Sequence, residues 1–339
     1  MSTDRPKKIS AVSTEFDVIN QFFRDRRPHR EDVIVGIGDD AAVVKVPSGY
    51  QLVLTMDTLV EGVHFTQGMA AREIGHKALA VNLSDLAAMA ADPAWVLLSL
   101  TLPELDPQWL DGFTDGFLSL ADTFGVELIG GDMSRGGMSL SVTAGGFVPS
   151  GGAIRRSGAR PGDCIFVTGT LGDAALALQL LDDRTRGAPN HRTQLLSRLY
   201  SPMPRVRQAL TLRQYASAAI DISDGLLGDL GHVCRESGVG AAIWVELLPR
   251  SEAFEALADG NEAYELALGG GDDYELCLTV PPEHYRTVEN LGAELGCDIT
   301  QIGVIERDPV VRCLYNDGRE YQPRTRGGYR HFGLDRRGR

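Results

Sequence analysis

The chain has 339 residues, 43% hydrophobic and 23% charged, a globular composition that excludes disordered, collagen-like and coiled-coil architectures. At roughly 150 residues per domain, two domains are expected. Asp and Glu outnumber Lys and Arg by 46 to 33, a net charge of -13, and no basic run is segregated from it, so nucleic acid and anionic membranes are excluded as partners. Five cysteines without C-x-x-C spacing argue against a disulfide framework. With no apolar run near the roughly 18 residues a membrane span needs, a reduced, cytoplasmic setting is expected.

In chain order, residues 16–23 read as a short amphipathic helix, the stretch from Asp32 begins a first strand, and 51–57 is a second. Residues 72–90 lack proline and end before Asp92-Pro93, which predicts a helix with Asn82 and Asp85 on one face. Strands over 96–102, 126–132 and 139–148 alternate with a helix over 109–124. The Gly- and Arg-rich run after Pro149 places a domain boundary near residue 150, dividing the chain into 1–150 and 151–339. Beyond it, 163–168 reads as a strand, 173–181 as a helix and 182–194 as a polar loop. Residues 219–222 form a strand turning at Ser223-Asp224-Gly225 into a helix, and 274–280 another strand. The last fifteen residues fit either an ordered lid or a frayed tail. The fold class is α/β (α+β), with mixed sheets packed with helices.

No Gly-Lys pair occurs, so a Walker A loop is excluded, and no kinase catalytic loop, D-F-G triplet or H-E-x-x-H appears. Gly36-Ile37-Gly38-Asp39-Asp40-Ala41 matches G-x-G-x-x-A, but strand-like Val43 to Val46 follows where a dinucleotide site requires a helix.

Aspartate beside Gly, Ser or Thr recurs at Gly38-Asp39-Asp40, Thr55-Met56-Asp57, Ser84-Asp85, Gly130-Gly131-Asp132, Ser223-Asp224-Gly225 and Gly270-Gly271-Asp272-Asp273. Any one of these reads as a turn or a cap. Together, at the ends of strands, they would converge on one edge of a sheet, where so many carboxylates ionise only beside cations. Hard oxygen ligands without His or Cys select Mg2+. Glycines beside them let backbone N–H groups approach phosphates, and Arg155-Arg156 offers a planar fork for phosphate oxygens. His64 and Tyr329, alone, read as a loop histidine and a terminal aromatic.

Taken in order, Gly36 to Asp40, Met56 to Phe65, Lys77 to Met89, Leu128 to Asp132, Arg156 to Asp163, Asp221 to Leu226 and Asp272 to Leu276 resemble the thiamine-monophosphate kinase family, over residues 14–333. That family belongs to the superfamily of aminoimidazole ribonucleotide synthetase, whose ATP-dependent members lack a Walker A loop. The resemblance implies its two-domain fold: an N-terminal ATP- and Mg-binding, dimerising domain and a C-terminal domain completing the ATP and substrate site. It implies phosphorylation of thiamine monophosphate by ATP with several Mg2+ ions, and a homodimer joined through the N-terminal domains. By the same resemblance Asp40, Thr55, Met56 through its backbone, Asp57, Asp85, Asp132, Asp221 and Asp224 hold metals, with Asp57, Asp85 and Asp132 serving the transfer itself. Gly131, Asp132, Arg156 and Ser223 touch ATP, and His64, Asp272 and Tyr329 touch the thiamine phosphate. Two positions depart from the family pattern. Met56 replaces a hydroxyl residue, and Asp272 stands where glutamate is usual, one methylene shorter.

Overall fold

A computed structural model of the chain describes residues 14–24, 29–183 and 185–324. The chain divides into two compact units, Met1–Leu86 with Pro93–Ser150, and Ala87–Asp92 with Gly151–Arg339.

In the first unit β1 (Val33–Val35) pairs antiparallel with β2 (Val43–Val44). The G-x-G-x-x-A segment is therefore a strand-to-strand connection. The main sheet has the order β3-β6-β4-β5, from β3 (Tyr50–Val60), β4 (Asp92–Leu102), β5 (Glu127–Arg135) and β6 (Ser139–Pro149). β3 and β6 are antiparallel, from Tyr50 opposite Pro149 to Val60 opposite Ser139. β4 and β5 are parallel, so a crossover must join them, and the Pro107–Phe124 helix supplies it. That helix starts where the sequence provides an Asp106 cap, accepting from the N–H groups of Gln108 and Trp109, with Pro107 at its first turn. The Ala71–Ala88 helix packs against it, with an ion pair between Arg72 Nε and Asp115 at 3.0 Å. Strands β3 and β5 both run three residues past the ends expected from sequence, so Asp57 and Asp132 sit mid-strand, not at strand tips.

The second unit has a seven-stranded sheet, order β13-β12-β9-β11-β7-β10-β8. Its strands are β7 (Cys164–Thr168), β8 (Ala218–Ile222), β9 (Gly240–Trp244), β10 (Glu275–Val280), β11 (Ile299–Glu306), β12 (Val311–Leu314) and β13 (Glu320–Tyr321). Only β9 and β12 pair in parallel among them. The Leu226–Ser237 helix buries Leu226, Leu230, Val233 and Cys234 against this sheet. Each large side chain so buried contributes about 1.5–3 kcal/mol before entropy is subtracted. A second core forms among helices alone, joining Leu176 and Leu180 to Leu195, Leu199 and Phe254.

The expected loop at 182–194 is corrected in its second half. Pro189–Tyr200 is a helix, opened by a proline at its first turn, where no N–H partner is needed, and held by buried Leu195 and Leu199. Among the described residues no helix is long and apolar enough to cross a membrane.

Candidate active site

Strand alternation decides how the first unit's acids are distributed, because successive side chains leave a strand on opposite faces. Met56 lies opposite Thr143 on β6, and Asp132 lies opposite Ser99 on β4. All four residues line a cleft of about 940 Å³, together with Asp40 and Gly131. Thr55 and Asp57 face the other way, towards the Ala71–Ala88 helix. There the Thr55 hydroxyl donates to the Asp85 carboxylate, and the Asp57 N–H donates to Asn82 Oδ1 at 3.1 Å. Asn82 is fully buried and in turn donates to the Ala78 carbonyl at 3.0 Å. Neighbours in sequence are thus divided over two surfaces of one sheet.

Gly131 occupies a position where only hydrogen fits: a Cβ there would stand 1.8 Å from the Leu98 carbonyl oxygen. Its neighbour Asp132 is exposed and accepts from the Ser134 hydroxyl at 3.1 Å. His64 closes the turn after β3, its Nδ1 accepting the Val60 N–H at 3.0 Å, which assigns the ring proton to Nε2 in the neutral state.

In the second unit Asp221 is the buried next-to-last residue of β8, and after Ile222 the chain turns through Ser223, Asp224 and Gly225 into the Leu226–Ser237 helix. A single oxygen of buried Asp229 accepts the N–H groups of Ser223, Asp224 and Gly225 at 3.0, 3.0 and 3.1 Å. Burial pushes the Asp229 carboxyl up to about 7, while those donors pull it back towards ionisation. The Ser223 N–H is therefore committed, and contact from this residue to a ligand falls to its hydroxyl. Gly225 holds φ 114, and a Cβ on it would meet the Gly269 backbone at 2.8 Å. This close approach brings the Gly269–Asp272 segment against the turn, where the Asp272 N–H donates to the Ser223 carbonyl at 2.9 Å. The Ser223–Gly225 turn and Asp272 thus lie side by side just beyond β8, with Asp221 inside the strand. Arg156 is exposed on the segment beside β8. Tyr329 lies outside the described residues.

The donors assigned to Mg2+ are all oxygens, the set a hard cation requires. Among the described residues, no three acidic, His or Cys side chains stand close enough to hold a metal between them. The donors instead stand singly or in pairs, such as Thr55 with Asp85. That arrangement fits Mg2+, which ordinarily takes one or two carboxylates and completes its shell with water and substrate phosphates.

Asn82 and Asp229, which position candidate ligands, were not singled out as site residues from sequence. The available signals were an asparagine one turn before Asp85 and an aspartate in the first turn of the helix after Ser-Asp-Gly.

Residues 38–148 match the family model of the AIR synthase related protein N-terminal domain, and residues 160–316 that of its C-terminal domain. Thiamine-monophosphate kinase of Salmonella typhimurium is 44% identical over 321 residues, 94% of this chain and 98% of the relative. Among solved structures, thiamine-monophosphate kinase from Stenotrophomonas maltophilia K279a superposes with a TM-score of 0.81 at 47% identity, covering 86% of this chain and 93% of that one. AaThiL complexed with AMPPCP and TMP gives 0.74 at 34% identity, covering 85% and 89%. With both halves matched in order and identity sustained across nearly the whole length, the chain belongs to the thiamine-monophosphate kinase family of AIR synthase related proteins.

Proposed function

We propose that the chain transfers the γ-phosphoryl group of ATP to thiamine monophosphate, giving thiamine diphosphate and ADP. The observation that carries this reading is the all-oxygen acid set, supplied by β3, β5, the Ala71–Ala88 helix and the turn after β8, in a member of this kinase family. The complex of AaThiL with AMPPCP and TMP supports the same pair of substrates.

The acceptor is a phosphate monoester whose second pKa is about 6, so its oxygen is mostly ionised at neutral pH and no strong general base is needed. The obstacle is the approach of two anions in line. When bound, Mg2+ supplies charge neutralisation and orientation of phosphate oxygens. Asp40, Thr55, the Met56 carbonyl, Asp57, Asp85 and Asp132 in the first unit, and Asp221 and Asp224 in the second, are the residues that would hold it. Asp57, Asp85 and Asp132 are assigned to the transfer. The bare backbone at Gly131 lets a phosphate approach closely beside Asp132, and Arg156 and the Ser223 hydroxyl bind ATP oxygens. His64, Asp272 and Tyr329 are assigned to the thiamine phosphate, whose cationic ring suits a carboxylate and an aromatic face. Transfer is direct, without a phosphoenzyme.

A second copy of the chain is the proposed partner, through the first unit. β3 is an edge strand of eleven residues, on which Leu54 is 57% exposed and Tyr50 and Val60 are exposed as well. A long apolar edge of this kind is normally covered. A reduced, cytoplasmic setting accords with five free cysteines, four of them buried.

The deciding assay incubates purified protein with ATP, Mg2+ and thiamine monophosphate, with free thiamine and formylglycinamidine ribonucleotide in parallel. Thiamine diphosphate from the monophosphate alone is expected. Turnover of the purine precursor, or Mg2+-dependent ATP binding without any product, would overturn the assignment.

A further inference from the structure

Glu275 opens β10 and has no exposed surface, yet it is charged and lies in a strand that otherwise reads Leu-Cys-Leu-Thr-Val. Its carboxylate is fully engaged. Oε1 accepts Arg198 Nη2 at 2.6 Å and Arg205 Nη2 at 2.5 Å, while Oε2 accepts Arg205 Nε and the Thr168 hydroxyl, both at 2.6 Å. Arg198 comes from the last turn of the Pro189–Tyr200 helix, and Arg205 from the stretch just after it. Burial by itself would lower Arg205, but the hydrogen bonds and charge of Glu275 overcome it and raise the guanidinium further. A buried ionic triad is a poor source of stability, because desolvation consumes most of the attraction. Its presence calls for another purpose.

The residues just before Glu275 supply one. Tyr274 holds φ 51, left-handed backbone that a bulky residue keeps only when its surroundings over-determine it, and Asp272, a residue type that tolerates this region better, holds φ 69. Asp273 between them is pinned, both carboxylate oxygens accepting the Gly172 N–H at 2.9 and 3.1 Å. Tyr274 donates its N–H to the Ile222 carbonyl and its hydroxyl to Asp272 Oδ1, each at 2.9 Å. Glu275 is the next residue, and its two arginines fix the far end of this strained run.

We propose that Glu275, gripped by Arg198 and Arg205, is a positioning residue that holds Asp272 in its strained conformation and thereby sets the affinity for the thiamine phosphate. The inference rests on the assignment of Asp272 to that substrate. Release of the grip lets Tyr274 relax towards ordinary backbone and carries Asp272 away from the Ser223 turn. Ser223, assigned to ATP, keeps its place because Asp229 still holds the N–H groups of its turn, so ATP binding is expected to be unchanged.

The test compares steady-state constants of four proteins: D272N, E275D, the apolar triple replacement R198M/R205M/E275L, and D272N combined with that triple replacement. E275D keeps the charge but is too short to reach both arginines, and the triple replacement removes all three ions at once, leaving Asp173, which Arg198 Nε also meets at 3.6 Å, to the hydroxyls of Thr170 and Ser251. Displacements on the scale of 1 Å cost up to about a hundredfold. E275D and the triple variant are therefore expected to raise KM for thiamine monophosphate about tenfold or more, with KM for ATP within about twofold and a melting temperature near that of the parent for the triple variant. If Glu275 acts through Asp272, the combined variant is no worse than D272N. Unchanged constants in D272N would remove the substrate assignment of Asp272 and the clamp with it. A strong D272N effect beside unchanged KM in E275D and the triple variant would overturn the clamp alone. Additive losses in the combined variant would show Glu275 acting elsewhere and overturn it too.

Discussion

Asn82→Ala isolates the link between the Ala71–Ala88 helix and Asp57. The asparagine is fully buried, accepts the Asp57 N–H at 3.1 Å and donates to Ala78 at 3.0 Å. Alanine removes the acceptor and leaves the Asp57 N–H without it, at a cost of about 1–3 kcal/mol. Loss of the donor to Ala78 is cheap, since that carbonyl already serves the helix ladder, so a net loss of about 2 kcal/mol is expected. In a unit of roughly 150 residues this corresponds to about 4–8 °C of melting temperature. The same change frees the backbone that presents Asp57, and kcat should fall about tenfold or more while KM for thiamine monophosphate stays near the parental value. Scanning calorimetry and ADP-release kinetics read the two effects separately. A melting shift under 1 °C would show that the bond contributes nothing. A full shift with unchanged kcat would show that the Asp57 backbone does not limit the reaction.

Leu54→Lys tests the covered edge without touching an assigned ligand. Each of the two copies withdraws its leucine at a cost of about 1.5–3 kcal/mol, so the proposed dimer should weaken about a hundredfold or more in sedimentation equilibrium, and a parent that sediments as a monomer would remove the proposal. Asp273 supplies a pH dependence. Burial raises its carboxyl well above the usual range, against the Gly172 N–H and Arg198, so the folded state holds a proton that the unfolded chain releases. The stability it supports is whole below about pH 4 and is lost as pH rises towards the folded value. Denaturant titrations of Asp273→Asn should show a flatter decline over that window, and an unchanged slope would place the titration elsewhere.

Much of the fold follows from local signals. β6 and β7 are apolar runs bounded by glycine and charge, and the Pro107–Phe124 helix carries its own cap and proline. β9 and β11 are short apolar runs of the same kind, after Gly238 and Asp298, but their places beside β12 and β7 depend on pairing over long separations, which no local pattern encodes. The Pro189–Tyr200 helix was hidden because its apolar positions lie in its second half, behind a polar first turn.

The acids were legible as a repeated type, but their grouping was not. Convergence on one edge followed from placing each aspartate at a strand tip. Once β3 extends to Val60, Thr55, Met56 and Asp57 become consecutive mid-strand residues, and a period of two must send Met56 into the cleft and its neighbours towards Asn82 and Asp85. The split has a chemical consequence. Carboxylates of like charge gathered at one point would repel and protonate, whereas carboxylates placed singly or in pairs on separate surfaces keep their charge until phosphate oxygens arrive with the cations. On the proposed function, a site built this way would be completed by its substrates, and a joint need for ATP and Mg2+ would trace to the pleat of one strand.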